Sequence, residues 1–104
     1  MSGVALALAL KLALLYGSVT IGPTTPVCEV GTPCDRPASH AKLSFTRQGH
    51  TFTTTTTDGG KYRIKLPPGI YAVRSNTGMS LQPRNIRVRT PSTKLNFAID
   101  TGIR

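Results

Sequence analysis

Asp58-Gly59-Gly60-Lys61-Tyr62-Arg63-Ile64-Lys65-Leu66-Pro67-Pro68-Gly69-Ile70-Tyr71-Ala72-Val73 decides the fold. Tyr62, Ile64 and Leu66 alternate with Lys61, Arg63 and Lys65, the period of a strand with one apolar and one solvated face. Ahead of it, Asp58-Gly59-Gly60 supplies residues that tolerate positive φ in a tight hairpin. Behind it, Pro67-Pro68-Gly69 stops the strand, because proline donates nothing to a ladder and glycine opens the turn. Ile70 to Ser75 resumes the alternation with Tyr71 and Val73 inward. The spacing predicts two strands whose tyrosines share one core.

The same period extends outward from this pair. In Ala41 to Arg47, Ala41, Leu43 and Phe45 point one way and Lys42, Ser44 and Thr46 the other. Gln48-Gly49-His50 reads as a turn, and Thr51 to Thr57 as a threonine-rich strand anchored by Phe52. The Thr53–Thr57 run offers either edge hydroxyls to water or a glycosylated or ligand-contacting surface. Asn76 to Pro83 reads as a loop. Asn85 to Arg89 follows with Ile86 and Val88 inward, and Lys94 to Asp100 closes the chain with Leu95, Phe97 and Ile99 inward. Upstream, Tyr16 to Ile21 is a first strand, and Gly22 to His40 a proline-rich loop. The total is about seven strands, the number and spacing of an antiparallel sandwich. One core suffices for 104 residues. Tyr16, Phe45, Phe52, Tyr62, Tyr71 and Phe97 are its aromatic stock.

The central stretch resembles the signature of carboxypeptidase-regulatory-like, transthyretin-like domains. Asp58, Gly60, Tyr62, Leu66, Pro68, Gly69, Tyr71 and Val73 occupy that family's positions. The resemblance covers residues 17–104 and implies an all-β, seven-stranded, antiparallel, Greek-key-like sandwich of the prealbumin kind. It also implies a folding, docking or binding module, since the peptidase chemistry of such proteins lies in a separate domain. The loop at 22–40, with its prolines and two cysteines, departs from the family pattern.

Thirteen Lys and Arg face four acids, Glu29, Asp35, Asp58 and Asp100, for a formal net charge of +9. This balance favours polyanionic partners such as nucleic acid, acidic polysaccharide, cell-wall polymer or anionic lipid. The outward set Lys61, Arg63 and Lys65, with Arg87 and Arg89 on a second strand, is the candidate binding surface. The two stripes merge into a patch if both strands share a sheet. Nucleic-acid recognition commonly adds exposed aromatics or a reading helix. Neither is evident in the sequence, so an envelope polyanion or a protein partner is preferred.

Val4 to Leu15 is a Leu/Ala run interrupted by Lys11. Too short to span a bilayer as a helix, it has the length of a signal-peptide apolar region. Residues 1–16 are therefore expected to be a leader, cut near Leu15 to Ser18. The alternative is an extra N-terminal strand or helix packed on the domain. Export places the protein outside the cell or on its surface, where Cys28 and Cys34 would form a disulfide. So small a ring adds about 2 kcal/mol in the chain-entropy account. A zinc site from Cys28, Cys34, His40 and His50 has spacing foreign to zinc modules.

Catalysis finds no footing. Two histidines and four acids scattered among turns make no metallopeptidase cluster. His40 beside Ser39, and His50 beside Thr51, are only neighbours in sequence. Gly59-Gly60 lacks the Lys-Ser/Thr of a phosphate loop. The expectation is a non-catalytic module with no cofactor, no metal, no small-molecule substrate and no transmembrane span.

Overall fold

A computed structural model describes residues 12–23 and 35–102. The described residues are all-β, in two sheets without helix. Ten strands follow in order: β1 (Ala13–Gly22), β2 (Arg36–Pro37), β3 (Lys42–Arg47), β4 (His50–Thr55), β5 (Lys61–Leu66), β6 (Gly69–Ser75), β7 (Ser80–Gln82), β8 (Asn85–Val88), β9 (Ser92–Lys94) and β10 (Phe97–Asp100). One sheet runs β4-β3-β6-β8, all antiparallel. The other is organised by β1. Its first half lies between β5, antiparallel, and β9, parallel. Its second half lies between β2, antiparallel, and β10, parallel. β7 adds to the far edge of β10.

Four segments depart from the sequence expectation, one of them the loop expected at 22–40, in which Arg36–Pro37 forms β2 against β1. β1 begins at Ala13, so the expected boundary at residues 16 and 17 falls inside a strand. Ala13, Leu15 and Val19 are fully buried there. Residues 1–11 lie outside the described part, as do 24–34 with Cys28 and Cys34. The expected loop at 76–83 contains β7, whose Leu81 is buried against β10. The expected last strand is broken at Leu95-Asn96 into β9 and β10.

That break is where the fold is pinned. Tyr16 O accepts from Leu95 N–H at 2.9 Å. Asn96 Oδ1 then stands in for a ladder carbonyl, accepting from Ser18 N–H at 3.0 Å and from its hydroxyl at 3.2 Å. The Tyr62 hydroxyl donates to Leu95 O at 2.7 Å. A Cβ on Gly17 would come within 1.9 Å of Leu95 O, so only glycine lets the two backbones approach.

Between the sheets, Phe45, Tyr62 and Phe97 form an aromatic cluster with centroids 5.5 to 6.4 Å apart. Phe52 meets Tyr71 edge-on at 6.2 Å. These spacings suit the quadrupoles of the rings. The Tyr71 hydroxyl donates to Pro67 O at 2.6 Å and caps the turn that the prolines begin. β3 and β4 join through Gln48 and Gly49, both at positive φ (50° and 82°), the primed turn that matches strand twist.

Gly17→Ala should lower stability by about 3 kcal/mol, because the obstacle is backbone that cannot rotate away. Gly59 has open space at the same test, so Gly59→Ala should stay within about 0.5 kcal/mol of the parent. Urea unfolding measures both. Equal midpoints would contradict the close approach of β1 to Leu95.

Candidate cationic face

Positions that share a face of β5, β1 and β9 follow from the register. Arg63, Tyr16 and Lys94 stand abreast on the three strands. In the next row stand Lys65, Leu14 and Ser92, and Lys61 stands beside Ser18. With strands about 4.8 Å apart, Arg63 and Lys94 flank Tyr16 at a Cα separation of about 10 Å. All four cations are exposed, and Tyr16 is 38% exposed. A shallow depression of about 350 Å3 opens here, lined by Leu14, Tyr16, Gly17, Lys61, Tyr62 and Arg63. Among the described residues no carboxylate is paired with these cations, and Asp58 pairs with His40.

The predicted five-cation patch does not assemble. β5 and β8 lie in different sheets, so Lys61, Arg63 and Lys65 face away from Arg87. Arg87 is paired with Ile70 on the second sheet. Arg89 lies beyond β8, where its N–H and carbonyl bond the Thr93 hydroxyl at 2.8 and 3.0 Å. In their place Lys94 and Tyr16 join the β5 stripe. Sequence reading missed Tyr16 because it counted that residue among the core aromatics, whereas it is exposed. Once β1 is extended to Ala13, alternation against Leu15 would have turned Tyr16 outward.

The motif residues build the scaffold. Tyr62, Leu66, Tyr71 and Val73 are buried. Gly60 holds φ 77°, and a Cβ there would meet Val19 O at 2.6 Å. Gly69 holds φ 152° under the Arg47 guanidinium. Pro68 precedes it in the turn. The Asp58 side chain pairs with His40 Nε2. Thr57 closes the turn, accepting from Gly60 N–H through its carbonyl at 3.0 Å and from Lys61 N–H through its hydroxyl at 3.2 Å. Nor is the threonine run one surface. Thr53 and Thr55 are exposed, while Thr56 is buried. The Thr56 hydroxyl takes a bond from Ala41 N–H at 2.8 Å and donates to Ala38 O.

Ser39 donates its hydroxyl to the Asp58 carbonyl, while His40 Nε2 pairs with the Asp58 carboxylate. His50 lies in β4 opposite Arg47. Among the described residues no three His, Cys, Asp or Glu side chains converge as metal ligands. No helix among them is long and apolar enough to cross a membrane.

Burial pushes the Tyr62 phenol well above the ordinary tyrosine range. Burial also raises Tyr71, against the opposing hydrogen bond and charge of Arg47. A raised folded-state value stabilises fully below the unfolded value near 10, and that contribution drains as pH climbs toward the folded value. The urea midpoint should therefore fall above pH 10. Tyr62→Phe should fall less steeply, while losing about 1 kcal/mol at neutral pH with the bond to Leu95. Identical alkaline slopes would contradict the buried phenol.

Compared with protein-family models, with curated proteins and with solved structures, the chain matches none of them.

Proposed function

We propose that this chain is a non-catalytic, surface-exposed docking module that holds an anionic partner on the face centred on Tyr16. The observation that carries the reading is the row Arg63–Tyr16–Lys94, with Lys61 and Lys65 beside it and no carboxylate paired to it among the described residues. Cations left unpaired around an apolar ring are available to a ligand's negative charges, and a flat sheet presents them together.

A carboxypeptidase-regulatory-like, prealbumin-type sandwich is the scaffold we assign. In support, counting β9 and β10 as one interrupted strand, and β2 and β7 as short additions, leaves seven principal strands. The tyrosines of the signature also sit in the core, where such a scaffold needs them. Export is part of the same reading. A cut between Leu15 and Ser18 would remove Ala13 and Leu15 from the core, so we place the mature terminus ahead of Ala13. In support of the non-catalytic assignment, the Ser39 hydroxyl is bonded to the Asp58 carbonyl, and His40 to the Asp58 carboxylate.

Binding to a heparin-like polysaccharide tests the reading. With four cations engaged, the logarithm of the affinity should fall against that of salt with a slope of about −3. K61E/R63E/K65E should weaken binding at least tenfold, whereas R74E/R87E, on the opposite sheet, should change it less than threefold. Equal losses would mean that net charge, and not this face, does the binding.

A further inference from the structure

The face is more than cationic. Down the outer side of β1 run Leu12, Leu14 and Tyr16, alternating with the buried Ala13 and Leu15. Leu12 is 46% exposed and Tyr16 38%, with Leu14 half-buried between them. At two residues per repeat they make an apolar line about 14 Å long. Arg63 and Lys65 border it on one side and Lys94 on the other, with Lys61 just beyond Tyr16 beside Ser18.

The three acids among the described residues lie elsewhere. Asp100 is paired with Gly22, and the Asp35 side chain packs on Gly22. That glycine ends β1 about 26 Å from Leu14. Asp58 belongs to the turn beside Val19, again toward the Gly22 end. β1 therefore carries an apolar, cation-bordered end and an end where carboxylates gather.

Resting on the docking function proposed above, we infer that the anionic partner is a lipid surface, met by the Leu12–Leu14–Tyr16 line with the four cations on the headgroups. A hydrated polymer would engage the cations and leave two leucines uncovered. A bilayer interface satisfies both: acyl chains cover the aliphatic side chains, and the phenol sits at headgroup depth with its hydroxyl wet. Basic side chains near an anionic leaflet each add on the order of fivefold to partitioning.

The chain carries its own reporter. It has no Trp and three Tyr, of which Tyr62 and Tyr71 are buried. The full chain should bind vesicles of phosphatidylglycerol and phosphatidylcholine, and bind pure phosphatidylcholine at least tenfold more weakly. Phospholipid with brominated acyl chains should quench part of the tyrosine emission, and Tyr16→Phe should abolish that part while the variant still binds. L14T/Y16T should lose at least tenfold toward anionic vesicles but less than twofold toward polyphosphate. Quenching that survives in Tyr16→Phe would overturn the inference, as would vesicle binding unchanged in L14T/Y16T. Should L14T/Y16T fail to fold, the Tyr16→Phe quenching decides alone. Binding to polyphosphate without binding to anionic vesicles would overturn the lipid assignment and leave the docking function standing. Binding to neither would remove both.

Discussion

β1 is hydrogen-bonded along both edges, and the rest of the molecule is arranged so that this is possible. On one edge lie β5 and then β2, on the other β9 and then β10. The handover between partners occurs around Gly17 and Ser18, where Val19 N–H reaches Gly60 O at 2.7 Å and Asn96 supplies the missing acceptor opposite Ser18. A side chain at Gly17 or at Gly60 would strike backbone oxygen. Two glycines and one asparagine thus let a single strand serve four partners. The Tyr62 hydroxyl on Leu95 O ties the same junction to the aromatic core.

The outer face of β1 inherits its character from this placement. A strand in the middle of a sheet has its inward residues fixed by the core, here Ala13, Leu15 and Val19. Its outward residues are free of that demand. That Leu14 and Tyr16 nevertheless stand there, between lysines and arginines, leaves apolar and cationic groups side by side where a solvated face would carry mixed charge. Burial explains Ala13 and Leu15; the docking function proposed above gives Leu12, Leu14 and Tyr16 an equivalent reason.

The hairpin from Lys61 to Ser75 was legible in the sequence because its period, its turn residues and its stops agree with one another. β3 and β8 were legible on the same ground. Of β1 only the part from Tyr16 to Ile21 was, because ahead of it apolar residues on both sides of the strand make a continuous run, and periodicity alone does not separate that from a signal segment or a buried helix. β7 was hidden by its length of three residues between Gly78 and Pro83. The break at Leu95-Asn96 has no local signal, since Asn96 acts on Ser18, 78 residues away in sequence. For the site, alternation identified Lys61, Arg63 and Lys65 as outward. It said nothing of which strands lie beside them, and that tertiary fact replaced Arg87 and Arg89 with Tyr16 and Lys94.

Native-state hydrogen exchange on the full chain tests the central place of β1 most directly. The amides of Leu14, Val19 and Leu95 are bonded to Pro91, Gly60 and Tyr16 at 3.1, 2.7 and 2.9 Å. If β1 holds the sandwich together, all three exchange only through global unfolding, with the free energy found by urea. Leu14 and Leu95 exchanging freely while Val73 and Thr56 stay protected would contradict the account, because the sandwich would then stand without the first half of that strand.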